Sequence, residues 1–237
     1  MLIFLDTETT GLDESDKICS IGIITEDEKS VKTYYNLIKS DKKITSEASS
    51  VHHITNEMIK QSPTFKESEI YEILSKYNST DNTLIAHNIA FDIKMLQREG
   101  FVWRGGIIDT LRCTRHLIPE CDKFSLQYLR YELKLYRDEK SDLNIDICAH
   151  HALSDALHVK LLYNYLLQMS SFDTLEELSV QDVLISKFSF GKYKGHFIEE
   201  IAISDAGYLR WMLNMSDLDD DLRYSIEYYL SEGMDFA

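Results

Sequence analysis

Proline is nearly absent: the 237 residues contain two, Pro63 and Pro119. That excludes long proline-rich connectors and leaves a chain of compact domain material. Long apolar runs are missing as well, and nothing approaches the roughly 20 residues of a membrane-spanning helix. The apolar opening, Leu2 to Leu5, is broken by Asp6 and carries neither a basic flank nor a cleavage pattern, so it does not read as a signal peptide. A cytoplasmic location without membrane contact is the expectation. Cysteine is sparse. Cys19, Cys113, Cys121 and Cys148 form no CxxC pair, which argues against a zinc or dithiol motif and suits reduced thiols. Positive charge is short too: 25 Lys and Arg face 40 Asp and Glu, a net charge of −15. Such a body repels phosphate and lacks a broad basic footprint. Any nucleic-acid contact would run through metal ions and local lysines, and would be weak, salt-sensitive and poorly processive.

What is present is a globular composition, 44% apolar and 27% charged, at a length for one large domain or one domain with a small appendage. Residues 2–6, 18–25 and 32–38 are rich in β-branched and aromatic residues and predict an antiparallel meander. A helix is expected over 64–77, a strand over 83–88, a helix from Ile89 to a stop at Gly100, a short strand at Ile107 and Ile108, and helix in TLRCTRHL. A helix N-capped by Ser125 follows, then a long one over 152–169. Strands first, then strands alternating with helices, predict an α/β fold with a mixed sheet flanked by helices. The expected organisation is a main domain over 1–170, a linker over 171–185 and a small module over 186–237. In that module KFSFGKYKGHF predicts a hairpin, helices follow near YLRWMLN and LRYSIEYYL, and Tyr208 and Trp211 are expected in its core.

Chemistry concentrates in acids. In MLIFLDTETTGL, Asp6 and Glu8 are two apart at the end of an apolar strand and so share a face. Two adjacent carboxylates repel, and one stays protonated unless a cation lies between them; hard divalent cations prefer such oxygens. Taken alone the pair reads first as an acidic turn leaving a strand. Asp92, in HNIAFD, falls in a first helical turn after a strand, where ligands bind in open α/β sheets. An acid there also suits the helix dipole with no ligand at all. Asp155, in HHALSD, opens the long helix, with His150 in the loop before it; taken singly they are a solvated acid and a loop histidine. His52, in VHHIT, precedes a helix capped by Thr55 or Asn56 and alone is a half-buried polar residue. Together, four carboxylates from three segments plus a histidine are the equipment for two metal ions about 3.5–4 Å apart and a base for water.

In this order and spacing DTETTGL, HNxxFD and HxAxxD resemble the three motifs of the DnaQ-like 3′–5′ exonucleases. A histidine five residues before the last aspartate, with His151 and not tyrosine four before it, resembles the DEDDh branch. The likeness covers residues 1–168; FGKYKG (190–195) and YLRWM (208–212) resemble the small C-terminal module of bacterial exonuclease X enzymes. The resemblance implies a ribonuclease H-like sheet and a DNA-repair hydrolase. It would release nucleoside 5′-monophosphates from DNA 3′ ends, single-stranded or duplex. RNA 3′-end trimming is the alternative, and an inactive nucleic-acid-binding module a more distant one. It also implies two Mg2+ ions, replaceable by Mn2+, held by Asp6, Glu8, Asp92 and Asp155, with His150 as base and His151 as its adjacent rival. Leu12 would wedge beside the terminal base, and Thr9, His52 and Asn88 would line the nucleotide pocket. In the module, Lys187, Lys192 and Lys194 lie among Phe188, Phe190, Tyr193 and Phe197 and could meet phosphates and stack bases. A hairpin with solvated lysines fits the same pattern.

Overall fold

The computed structural model describes residues 1–139, 145, 147–216 and 218–232, so the last five residues of the expected 186–237 module lie outside the described ones. Five strands, β1 (Leu2–Thr9), β2 (Ile18–Glu26), β3 (Val31–Leu37), β4 (Thr83–Ala86) and β5 (Gly106–Asp109), form one sheet in the order β3-β2-β1-β4-β5. The first three make the antiparallel meander, and β4 and β5 run parallel to β1. This is the mixed sheet expected. β1 continues past Asp6 because its TET residues keep pairing with β2, Asp6 opposite Gly22 and Glu8 opposite Ser20, before the register shifts between Glu8 and Thr9.

Eleven helices accompany it among the described residues: α1 (Ser46–His52), α2 (Asn56–Ile59), α3 (Glu69–Lys76), α4 (Ile89–Arg98), α5 (Thr110–Leu117), α6 (Leu126–Glu132), α7 (Ala152–Leu166), α8 (Phe172–Leu178), α9 (Ile198–Ser204), α10 (Ala206–Met212) and α11 (Asp220–Glu232). The helix expected over 64–77 is two pieces. Thr64 and Glu67 form a capping box on a 3-10 turn, and Ser68 then caps α3 by accepting the Tyr71 N–H. Helix α1 is one that the periodicity did not announce, since SEASSVH is too short to show an apolar stripe.

The chain divides into two compact units, Met1–Cys113 with Lys123–Ser179, and Thr114–Asp122 with Val180–Ala237. In the first, Ile3, Leu5, Ile21 and Ile23 share a core with Phe65, Ile70, Leu74, Met95 and Leu96 from the α3 and α4 side. On the other face of the sheet Phe4 meets Tyr163 of α7 edge-on, centroids 5.4 Å apart. Helices thus cover both faces of a sheet whose β2 is buried over Ile18–Thr25 and whose β1 is buried over Ile3–Leu5, which is why LIFL and ICSIGII read as continuous apolar runs. Within 171–185, α8 buries Leu175, and Ser179 Oγ accepts the Asp109 N–H at 2.8 Å.

The second unit has its own core of Phe188, Ile198, Ile201, Leu209, Met212, Leu222 and Ile226. The expected hairpin is short: around the antiparallel bridge of Lys187 with Phe197, Phe188 N–H donates to the His196 carbonyl at 3.1 Å and Ile198 N–H to the Ser186 carbonyl at 2.9 Å, and the loop turns at Gly191 and Gly195 with φ of 75° and 85°. Trp211 is 58% exposed rather than in the core, because Leu209 and Met212 take the inward positions of α10. Among the described residues no helix is long and apolar enough to cross a membrane.

Candidate active site

Alternation along β1 sets the first two acids. Phe4 faces α7, so Asp6 and Glu8, two and four residues on, face the same way toward the start of that helix. What brings α7 close is Gly22 on β2, opposite Asp6: a Cβ there would lie 2.3 Å from the Leu153 backbone nitrogen and 2.5 Å from the Ala152 carbonyl carbon. Only a residue without a side chain lets the first turn of α7 rest on the strand. That turn carries Asp155, which is buried. His150 precedes it in left-handed conformation, φ 58°, and this turns its backbone N–H onto Asp155 Oδ2 at 2.9 Å. Glu8, His150 and Asp155 each offer a ligand atom, and the three lie within 4.8 Å of one another.

Asp92 comes from the first turn of α4, as its spacing predicts, and its Oδ1 accepts the Thr7 hydroxyl at 2.7 Å. The start of α4 is fixed by Asp109 at the end of β5, whose carboxylate accepts the N–H groups of Asn88, Ile89 and Leu111 at 3.0, 3.2 and 2.9 Å.

Crowding has the electrostatic consequence anticipated for adjacent carboxylates. Burial, then the charges of Asp92, Asp155 and Glu8, raise the Asp6 carboxyl well above its ordinary range. Burial, then Asp155 and Asp92, push Glu8 up to about 8. Burial pushes Asp92 to about 7, with the Thr7 hydrogen bond opposing and the Asp109 charge adding. A cluster of oxygen donors that retains protons near neutrality fits a hard divalent cation, whose charge would displace them.

The two histidines separate. His151 lies flat on Tyr35 of β3, centroids 4.4 Å apart at 23°, and its Nδ1 is buried without a hydrogen-bond partner. His150 is exposed beside Glu8 and Asp155.

Of the expected substrate-contact residues, Leu12 stands 87% exposed. Thr9 is buried and its hydroxyl donates to the Gly11 carbonyl at 2.7 Å. Asn88 is exposed at the N-cap of α4 with φ 68°. His52 is buried, with both ring nitrogens committed to backbone: Nδ1 accepts the Ile54 N–H at 3.0 Å, so Nε2 carries the proton and donates to the Thr9 carbonyl at 3.1 Å.

Several residues that shape the site escaped the sequence reading: Thr7, Gly22, and the Gln127, Arg130, Glu139 and His158 group around Asp155. Signals existed for two of them. An isolated glycine inside ICSIGIIT suggests close backbone approach, and His158 stands three residues after Asp155 on the same helical face.

A family model described as "Exonuclease" matches residues 3–163, and one described as "Exodeoxyribonuclease X-like C-terminal" matches residues 188–217. Exodeoxyribonuclease 10 of Escherichia coli (strain K12) is 29% identical over 236 residues, 97% of this chain and 99% of that protein. The DNA polymerase III subunit epsilon of Rickettsia prowazekii (strain Madrid E) is 33% identical over 174 residues, 68% of this chain and 71% of that one. The structure of Exonuclease X in complex with 5′ overhanging duplex DNA superposes with a TM-score of 0.61 at 24% identity, over 76% of this chain and 99% of that chain, a likeness of fold.

Proposed function

The chain belongs to the exonuclease family, and on that premise we propose that it is a divalent-cation-dependent 3′–5′ exodeoxyribonuclease acting in DNA repair. The observation that carries the reading is the convergence of Glu8, His150 and Asp155 to within 4.8 Å, with Asp92, Asp155 and Glu8 close enough to Asp6 to raise its proton affinity. A relative aligned almost end to end is an exodeoxyribonuclease, which favours DNA over RNA as substrate.

Asp6, Glu8, Asp92 and Asp155 would hold two Mg2+ ions, with Mn2+ as substitute, since all four present hard oxygen donors. Bound there, divalent cations supply Lewis-acid activation of water and charge neutralisation at the leaving oxygen. His150, exposed at the mouth of the cluster, removes a proton from the attacking water. The new bond forms between that water oxygen and the phosphorus of the terminal phosphodiester. The bond to the 3′-oxygen of the penultimate nucleotide breaks, and that oxygen takes up a proton. A nucleoside 5′-monophosphate leaves and a new 3′-hydroxyl remains. The exposed Leu12 would wedge beside the terminal base, and Thr9, His52 and Asn88 would line its pocket, His52 through its ring carbons because its nitrogens are engaged.

The module's Lys187, Lys192 and Lys194 would add phosphate contacts. Lys192 is bound to Asp205 at 3.1 Å, so Lys187 and Lys194, with the exposed Phe190 and Phe197, carry that role.

The test is digestion of 3′-labelled single-stranded DNA, duplex DNA and RNA of matched sequence, in Mg2+ and in EDTA. Cation-dependent loss of 3′ nucleotides, faster on DNA, is expected. Trimming of RNA alone would move the assignment to an exoribonuclease, and binding without cleavage in either cation would make the chain a binding module.

A further inference from the structure

Asp155 is the end point of a closed hydrogen-bonded circuit that starts at Arg130. On α6, Arg130 and Gln127 stand three residues apart on one face, and Arg130 Nη1 donates to Gln127 Oε1 at 3.2 Å. With its oxygen engaged, the Gln127 amide presents its nitrogen onward, and Nε2 donates to Asp155 Oδ1 at 2.5 Å. The same guanidinium grips Glu139 as a fork, Nε on Oε1 and Nη2 on Oε2, the latter at 2.9 Å. Glu139 Oε1 lies 3.2 Å from His158 Nε2, and His158 Nδ1 lies 3.2 Å from Asp155 Oδ1. His158 is wholly buried. Two routes from one side chain therefore end on one carboxylate oxygen.

The consequence follows from counting acceptor positions. An ionised carboxylate has about four lone-pair sites, two on each oxygen. Gln127 and His158 occupy those of Oδ1, and the His150 backbone N–H occupies one of Oδ2. One position, on Oδ2, is left.

We propose that Arg130 is a positioning residue of this site: acting through Gln127 and through Glu139–His158, it fixes the rotation of the Asp155 carboxylate so that Oδ2 alone is presented to a divalent cation. The proposal rests on the reading of Asp155 as a cation ligand. It requires arginine, because three separate nitrogens serve two acceptor side chains at fixed angles, which a lysine ammonium cannot do. Partners one step removed from a metal typically change affinity or activity by about 10–100-fold.

The experiment is Mn2+ titration of the full-length protein followed by electron paramagnetic resonance, with metal-free thermal unfolding and steady-state cleavage of 3′-labelled DNA alongside. Arg130→Lys should weaken Mn2+ binding about tenfold or more, and Gln127→Ala, which cuts one route, by less. In both, KM for DNA should stay unchanged and saturating Mn2+ should recover the rate. Asp155→Asn is the reference. If it too leaves Mn2+ affinity untouched, the reading of the site fails. If it abolishes binding while folded Arg130→Lys and Gln127→Ala bind Mn2+ as the wild type does, the positioning proposal alone is overturned. A lowered melting temperature with unchanged Mn2+ affinity has the same meaning, a purely structural circuit. Should Arg130→Lys not fold, Gln127→Ala carries the test, since its side chain is half-buried at the surface of α6.

Discussion

The ring of His151 rests on the ring of Tyr35, 4.4 Å between centroids, while the adjacent His150 is turned by its left-handed backbone toward Glu8 and Asp155. Neighbours in sequence are thereby given different tasks, one as a packing surface and one facing the acids. His150→Gln should lower kcat on a 3′-labelled single strand by about 10²–10⁴, the usual range for loss of a general base. His151→Phe, which keeps the stack, should stay within a few-fold of wild type. Equal losses in both variants would return the role to either ring.

A divalent cation at this cluster would compete with protons for the same oxygens, and the sign of the effect is fixed by the raised pKa values. The folded state holds protons on Glu8 up to about 8 and on Asp92 up to about 7, whereas an unfolded chain releases them near pH 4. Between those limits the folded state binds more protons. The contribution to metal-free stability is complete below about pH 4 and is lost as pH rises through 7 and 8. Melting temperatures in EDTA should therefore fall from pH 5 to pH 8.5. The rise on adding Mg2+ should be larger at the upper end, where protons no longer compete. A flat metal-free profile would show that the cluster does not retain its protons.

Asp6 and Asp155 should respond differently to loss of charge, because their surroundings differ. Asp6 is raised by burial and by three neighbouring acids, so Asp6→Asn removes a repulsive charge and should raise the melting temperature in EDTA at pH 8. Asp155 accepts from Gln127, His158 and the His150 N–H, so Asp155→Ala strands three polar groups and should lower the melting temperature, through a loss of stability of about 1–3 kcal/mol for each buried group left unsatisfied. Turnover should vanish in both. An Asp6→Asn protein that cleaves at the wild-type rate would remove that residue from the site.

The parts legible in the sequence are those with local signatures. β1 shows as an apolar run, and the two acids on one of its faces follow from strand periodicity. The strand-to-helix switch before Asp92 and the start of the long apolar-periodic helix at Asp155 place both acids in first helical turns, and both are found there. What stayed hidden depends on long-range contact. The isolated Gly22 signals a close backbone approach but not that the approaching element is α7, 130 residues later. Arg130 and Glu139 read as ordinary solvated charges until folding brings His158 between Glu139 and Asp155. The outward place of Trp211 is hidden for a related reason: on a seven-residue helix, spacing alone cannot tell which face is inward, and Leu209 and Met212 take it.

Gly22 gives the sharpest test of that long-range packing. A methyl group at this position would fall 2.3 Å from Leu153 backbone nitrogen, and backbone cannot swing aside as a side chain can. Gly22→Ala should destabilise by about 1–3 kcal/mol, the usual cost of overpacking. It should also lower kcat more than it raises KM, because the shift moves Asp155 away from Asp6 while leaving the exposed Leu12 and Asn88 in place. A stable variant with unchanged kcat would mean that α7 is not held in place by this contact.

The lysines of the second unit differ in what they have left to offer a phosphate. Lys192 is paired with Asp205, which also accepts the Tyr193 hydroxyl, and its ammonium lies over the Tyr193 ring at 4.5 Å. Lys187 lies over Phe197 at 4.5 Å, a contact that leaves the ammonium's hydrogen-bond donors unspent on that ring. If the module grips nucleic acid, Lys187→Ala with Lys194→Ala should weaken binding to duplex 3′ ends several-fold. It should also flatten the dependence of log affinity on log salt by up to about 2, since each phosphate contact contributes about 0.9 to that slope. Lys192→Ala alone should do less. kcat on saturating short single strands should be the same in all three proteins, since none of these lysines belongs to the acidic cluster. A salt dependence identical to wild type in the double variant would confine nucleic-acid contact to the first unit.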